Sequence, residues 1–270
     1  MTNSIFAARW GYVCTGSACP SRCHVCSAAI INRRNRGDAE RNLAVTELSQ
    51  KSGDSTRELI LRAACRRFAA NAYSSVSLDD ILAEAEVTKG AMYFHFRNKY
   101  ALAQAIMDER TEMARSSIAE LLNRKLSGLE TIIDIIYLVA AQDYTTDVGR
   151  AGLNLMDSVG RIEGVQARRL SEWVKAMAKV VQRAAEQGDI VEGLDPEDVA
   201  RLVISLYTGT RLTSEFDDLE QFLRNMEKNW MLVLPVVASA DRLGYFTQFV
   251  RRRTAHALGS WPRRTEVQRL

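Results

Sequence analysis

The sequence predicts an all-α protein: a small three-helix domain followed by a larger helical body. Three observations carry this. Only four prolines occur in 270 residues, so breakers are sparse between Ser55 and Arg253. Apolar residues recur with helical period from Thr56 onward, and no segment alternates with the strand period. Apolar residues make up 47 % of the chain and charged residues 26 %, which suits a packed, well-solvated domain.

The first helix begins near Thr56. At 100° per residue, Ile60, Leu61, Ala64, Cys65, Phe68 and Ala72 share one stripe, and Arg62 and Arg66 face away. A second helix runs from about Leu78 to Ala85. Ser77 is its N-cap, and Asp79 and Asp80 lie near its positive end. A tight turn at Glu86-Val87 follows. Thr88 then caps a third helix, Lys89 to Phe96, and Asn98 caps a long one from Lys99 to about Lys125. Further helices are expected over about Leu129–Tyr144, Gly149–Val159, Val165–Gln187, Pro196–Ser214, Leu219–Leu234 and Ser239–Ala257. Pro196 sits at a helix start, where its missing N–H costs nothing. Gly188 sits at a helix end.

Residues 1–50 differ. They hold four of the five cysteines, and no periodicity persists. They are read as a disordered extension, with 55–115, 116–257 and 258–270 as head, body and tail. Cys14, Cys19, Cys23 and Cys26, with His24, raise the question of zinc. Only Cys23-x-x-Cys26 has common ligand spacing and no second close pair accompanies it, so no metal or cofactor is expected. Cys65 lies on an apolar stripe and reads as core. Arg251-Arg252-Arg253 reads as a solvated helix end.

Charge is uneven. Residues 51–100 hold 8 basic and 6 acidic side chains, and residues 101–236 hold 15 and 22. A net charge of +3 does not by itself predict DNA binding. No apolar run is long enough to span a membrane, and no secretory signal opens the chain. The expectation is a cytoplasmic protein.

Three short helices in about 40 residues, with a tight turn between the second and third, form a helix-turn-helix. A groove-reading helix must be short, exposed and slim at its leading end. Thr88-Lys89-Gly90-Ala91-Met92-Tyr93-Phe94-His95-Phe96 fits. Gly90 and Ala91 permit close approach. Lys89 and Tyr93 reach phosphates or base edges, and Met92 and Phe96 anchor the helix to Ile60 and Phe68. The N–H groups near Asn98-Lys99 offer a phosphate site at a helix start.

The run Val87-Thr88-Lys89-Gly90-Ala91, Tyr93-Phe94-His95-Phe96 and Lys99, with Phe68, Tyr73, Ser77-Leu78, Ile81 and Leu102, resembles the DNA-binding domain of TetR-type repressors. Within that superfamily the chain is most similar to the γ-butyrolactone autoregulator receptors of antibiotic-producing bacteria. Arg150-Ala151-Gly152-Leu153, Trp173, the Gly209-centred helix and Trp230–Pro235 extend the resemblance. It implies that Ser77, Thr88, Lys89, Gly90, Ala91, Tyr93, His95 and Lys99 form the face that meets double-stranded operator DNA. Lys89 would read bases; Tyr93, His95 and Lys99 would touch phosphate. It further implies that Trp173 walls a pocket for a small hydrophobic γ-butyrolactone-like ligand. By spacing alone, Leu170, Trp173, Val174, Met177, Val181 and Ala184 are a core stripe. Gln142, Ser205 and Thr208 are candidate polar partners for such a ligand. The last long helices, about Pro196–Ser214 and Leu219–Leu234, resemble the pair that forms a homodimer bundle.

Two departures stand out. The family usually has glycine where this chain has Ala72 and Glu86, at a helix end and at the tight turn. The reading is then a ligand-released, dimeric repressor of a palindromic operator. A pseudo-receptor responding to an antibiotic or other small molecule is an alternative within the same fold. A small all-helical enzyme is the reading from another class. Against it, there is no nucleophile–base pair and no phosphate-cradling glycine loop, and none of His24, His95 and His256 has an obvious acidic partner. A purely architectural DNA binder would need little beyond a basic surface, which does not fit the acidic body.

Overall fold

The computed structural model describes residues 55–161, 164–215 and 218–259. The expected extension at 1–50, its cysteines with His24, and all but two residues of the tail lie outside the described residues. Ten helices occur among the described residues: α1 (55–70), α2 (Leu78–Ala85), α3 (Lys89–His95), α4 (Lys99–Leu122), α5 (Gly128–Thr145), α6 (Asp147–Leu155), α7 (Val165–Glu186), α8 (Pro196–Thr213), α9 (Leu219–Val237) and α10 (Leu243–Gly259). The one β-type pairing there is an isolated bridge between Ile190 and Ala238.

Two apolar clusters organise these helices. The head core gathers Ile60 and Phe68 of α1, Ile81 of α2, Met92 of α3, and Leu102 and Ile106 of α4. The predicted α1 stripe is buried from Ile60 to Phe68. Ala72 is exposed and lies beyond the end of α1. The body core is built around α5, which is apolar on most of its circumference and is buried accordingly. It packs against α4, α6, α7, α9 and α10. Gly128 lets α5 approach α7 closely, since a Cβ there would stand 2.4 Å from the Ala184 backbone.

α4 belongs to both halves. Leu102 and Ile106 close the head core, and Ala114 and Leu121 join the body core. Between α6 and α7 the chain widens into a π turn, Met156–Gly160. Such turns are rare and frequent at functional sites. A Cβ at Gly160 would meet Met156 Sδ at 2.9 Å.

α4 stops at Leu122 rather than near Lys125, and two other helix ends differ from expectation for physical reasons. α9 continues past Pro235 to Val237. Proline removes its own N–H and crowds the carbonyl four residues back, but here it does so in the last turn, where Ala238 N–H still bonds Leu234 O at 2.8 Å. α10 begins at Leu243 rather than Ser239. Ser239 is engaged elsewhere: its N–H donates to Asp189 O at 2.9 Å and its hydroxyl to Gly188 O at 2.6 Å.

Candidate DNA-reading head and effector cavity

The head is assembled by caps. Ser77 Oγ accepts from Asp80 N–H at 3.0 Å and donates to Asp80 Oδ2 at 2.6 Å, and Ser77 N–H donates to the same oxygen at 3.0 Å. These bonds to Ser77 hold the Asp80 carboxyl below the usual carboxylate range. The turn after α2 places Glu86 in the left-handed region, φ 56° and ψ 37°. A Cβ is disfavoured in that region, so the departure from glycine carries backbone strain at Glu86. It is absent at Ala72, because Glu86 is the only non-glycine residue with positive φ among the described residues. Thr88 Oγ1 then accepts from Ala91 N–H at 3.2 Å and starts α3.

α3 has two distinct faces. Met92 and Phe96 are buried in the head core, while Lys89, Gly90, Tyr93, Phe94 and Arg97 are exposed. The Lys89 side chain is 65 % exposed, with Asp79 3.9 Å away, so its ammonium is available. A Cβ at Gly90 would meet nothing nearer than Thr88 Oγ1 at 4.0 Å. The protein's own packing does not require glycine there, and its bareness is offered outward. The His95 ring stands edge-on to Phe94, with centroids 5.0 Å apart.

Lys99 is placed differently from its neighbours. Its Nζ donates to Val76 O at 2.5 Å and lies 4.2 Å from the Tyr73 ring centre. Burial holds its pKa below the usual lysine value. The side chain ties the start of α4 to the loop before α2, and two N–H bonds of the ammonium remain for another acceptor. Asn98 Oδ1 caps the same helix through Ala101 N–H at 2.8 Å.

The body is hollow beside α7. One chamber, of about 100 Å³, is lined by α4, α5, α6, α7 and α8; a second, of about 270 Å³, opens between α4, α5 and α7. Both are bounded by Thr111, Ile135, Arg169, Trp173 and Met177. Trp173 thus stands where the two chambers meet, rather than inside a sealed core stripe. Leu170 of that stripe is 37 % exposed. Ser205 is exposed and lines neither chamber, and Gln142 donates to Ser117 Oγ at 2.7 Å. Of the three candidate polar partners, Thr208 alone lines a chamber.

The smaller chamber carries a polar wall that sequence reasoning missed. Arg110 pairs with buried Asp143, which also accepts from Tyr207 OH at 2.5 Å. Arg211 holds Asp157 of the π turn through both carboxylate oxygens, at 2.7 and 3.0 Å. Arg169 donates to Thr111 Oγ1 at 2.7 Å and pairs with Asp108. α4 is thereby bonded to α5 and α7, while α8 is bonded to α5 through Asp143 and to the π turn through Asp157, around the cavity. No local signal distinguished Arg110 from the solvated charges along α4.

A capped helix-turn-helix head sharing one long helix with a hollow helical body defines a class of regulatory protein. Residues 60–106 match the family of bacterial regulatory proteins, tetR family. The A-factor receptor protein of Streptomyces griseus is 32 % identical over 183 residues, which is 66 % of this chain and 62 % of that protein's length. A crystal structure of a γ-butyrolactone receptor, an ArpA-like protein, superposes with a TM-score of 0.64 at 27 % identity, over 76 % of this chain and 99 % of that one. CprB of Streptomyces coelicolor, solved in complex with its biological operator sequence, gives 0.63 at 26 % identity, over 75 % and 98 %. Residues 60–106, the head, thus carry the tetR-family domain of bacterial regulatory proteins.

Proposed function

We propose that this chain is a ligand-responsive transcriptional repressor of the cytoplasm rather than an enzyme. As a homodimer it binds a palindromic double-stranded operator through α3, and a small hydrophobic effector of the γ-butyrolactone type releases it. The single observation that carries this is the division of α3. Its buried face is locked by Met92 and Phe96, and its free face presents Lys89, bare Gly90 and Tyr93. A receptor for A-factor, γ-butyrolactone receptors and an operator-bound homologue among its relatives support the same reading.

Ser77 and Thr88 serve this face through their caps, and His95 and Lys99 stand at its edge. Trp173 is proposed as the apolar wall on which the effector sits, with Arg110, Tyr207 and Thr208 within the same chamber to orient a polar ring. Dimerisation has its own support. α8 and α9 expose Leu202, Leu212, Leu232 and Val236, the last two at 75 % and 65 %. An apolar set of that kind is matched to a partner surface. No helix among the described residues is long and apolar enough to cross a membrane.

A gel shift on the promoter beside its own gene, with and without candidate lactones, tests the proposal. A specific complex that dissolves with a lactone is expected. A complex indifferent to every lactone but released by an antibiotic would favour the pseudo-receptor reading, and no complex at all would refute both.

A further inference from the structure

Phe94 is the most exposed large apolar side chain among the described residues, at 84 %. It stands on α3, where Lys89, Gly90, Tyr93 and Phe94 are exposed on one face by helical spacing, and Arg97 is exposed just beyond the helix end. The head core has no use for it. Met92 and Phe96, on either side of it, fill that core. The His95 ring, at 5.0 Å and 88° to it, flanks the phenyl group without covering it.

An exposed phenyl ring is ordinary on a protein surface, but this one stands on the face of α3 that is free to meet a partner, where it would gain from an apolar group. The face around it carries a lysine, an arginine, a phenol and a bare glycine, which suits a polyanion and not an oily protein partner. On DNA in the major groove, one group is apolar and within reach of such a ring: the 5-methyl of thymine. We infer that Phe94 is a specificity-determining residue that packs on a thymine methyl in each operator half-site. The inference rests on the proposal that α3 enters the major groove. Lys89 supplies charge and hydrogen bonds there, whereas Phe94 distinguishes thymine by the methyl alone.

Replacing thymine by deoxyuridine deletes that methyl and leaves base pairing and charge unchanged. The full-length protein first selects its duplex from a random pool. Each thymine of the selected site is then replaced singly, and affinity is measured by fluorescence anisotropy. Wild type should lose about fourfold at one thymine per half-site, the equivalent of one buried methyl. Phe94→Ala should bind the thymine and uracil forms of that position equally while still preferring the site over a scrambled duplex. Phe94→Leu should keep part of the discrimination. Because the side chain is exposed, both variants should melt with wild type. Wild type indifferent to every replacement, or Phe94→Ala as sensitive as wild type, would overturn the inference alone. Failure of wild type to select any duplex would overturn the DNA-reading proposal with it.

Discussion

Arg110 and Asp143 meet through both carboxylate oxygens, Nε to Oδ1 at 2.7 Å and Nη2 to Oδ2 at 2.5 Å. The pair joins α4, which closes the head, to α5, the centre of the body. Burial works against the Arg110 charge, but Asp143 outweighs it and holds the pKa above the usual arginine value. Tyr207 is likewise raised, first by burial and then by Asp143. Gly152 makes room for this arrangement: a Cβ there would stand 2.5 Å from Arg110 Cδ. The glycine of the Arg150-Ala151-Gly152-Leu153 segment thus has a packing reason.

Asp143→Asn should cost about 3–5 kcal/mol, because it leaves the buried Arg110 guanidinium without its countercharge. Tyr207→Phe removes one hydroxyl and leaves the bidentate pair, so it should cost only about 1–2 kcal/mol. Urea denaturation of the two variants measures both. Equal losses would show that the pair does not act as described.

Glu86→Gly should stabilise the protein by about 1 kcal/mol, since glycine enters the left-handed region without the Cβ penalty. The sequence marked this position because glycine is usual there. The structure supports the mark at Glu86 and removes it at Ala72, where α1 has ended and φ is not positive. A melting temperature at or below that of wild type would contradict the assignment of strain.

Much of the head was legible for a local reason. Caps and apolar period are short-range signals, and α2 begins and ends where Ser77 and the Leu78, Ile81, Leu82, Ala85 stripe place it. The body was legible as helices from periodicity, but a cavity beside Trp173 was suggested only by the resemblance, since spacing alone read as a core stripe. Whether Trp173 fills a core or walls a hollow depends on what α4, α5 and α8 bring to it across many residues of chain. The inward turn of Lys99 was hidden for the same reason, since its partner Val76 lies 23 residues away.

Glu84 joins α2 to α1 through Arg66 and Arg67. The bond from Arg66, above all, holds its pKa below the usual 4.5. A lowered carboxyl pKa contributes stability that is fully present above the unfolded value and is lost as pH falls through the folded one. Glu84→Gln should therefore lower stability by about 0.5–1 kcal/mol near neutrality and have little effect in strong acid. Melting temperatures of both proteins between pH 3 and 7, bounds chosen about the carboxylate range, should converge on acidification. Parallel curves would contradict the pairing.

Trp173→Ala should leave a folded protein that binds DNA but is no longer released by its effector. The tryptophan bounds both chambers and lies away from α3. Losing its area should weaken a bound ligand by roughly a hundredfold. A ligand shifts an equilibrium only by its differential affinity, so repression becomes permanent. If Trp173 were mere core, folding and DNA binding would fall together, with a cavity cost of about 3–5 kcal/mol. A folded variant that still responds normally to effector would sink the pocket assignment.

The most direct test of DNA reading by α3 is a salt series of anisotropy titrations, wild type against Lys89→Ala, on a duplex from upstream of its own gene. Wild type should bind that duplex in preference to a shuffled one, with log affinity falling linearly in log salt. Lys89→Ala should lose about 1–3 kcal/mol on the operator if the lysine reads a base, or flatten the salt slope by about one unit if it touches phosphate. Unchanged affinity and unchanged slope in the variant, or a wild type blind to sequence, would contradict the account.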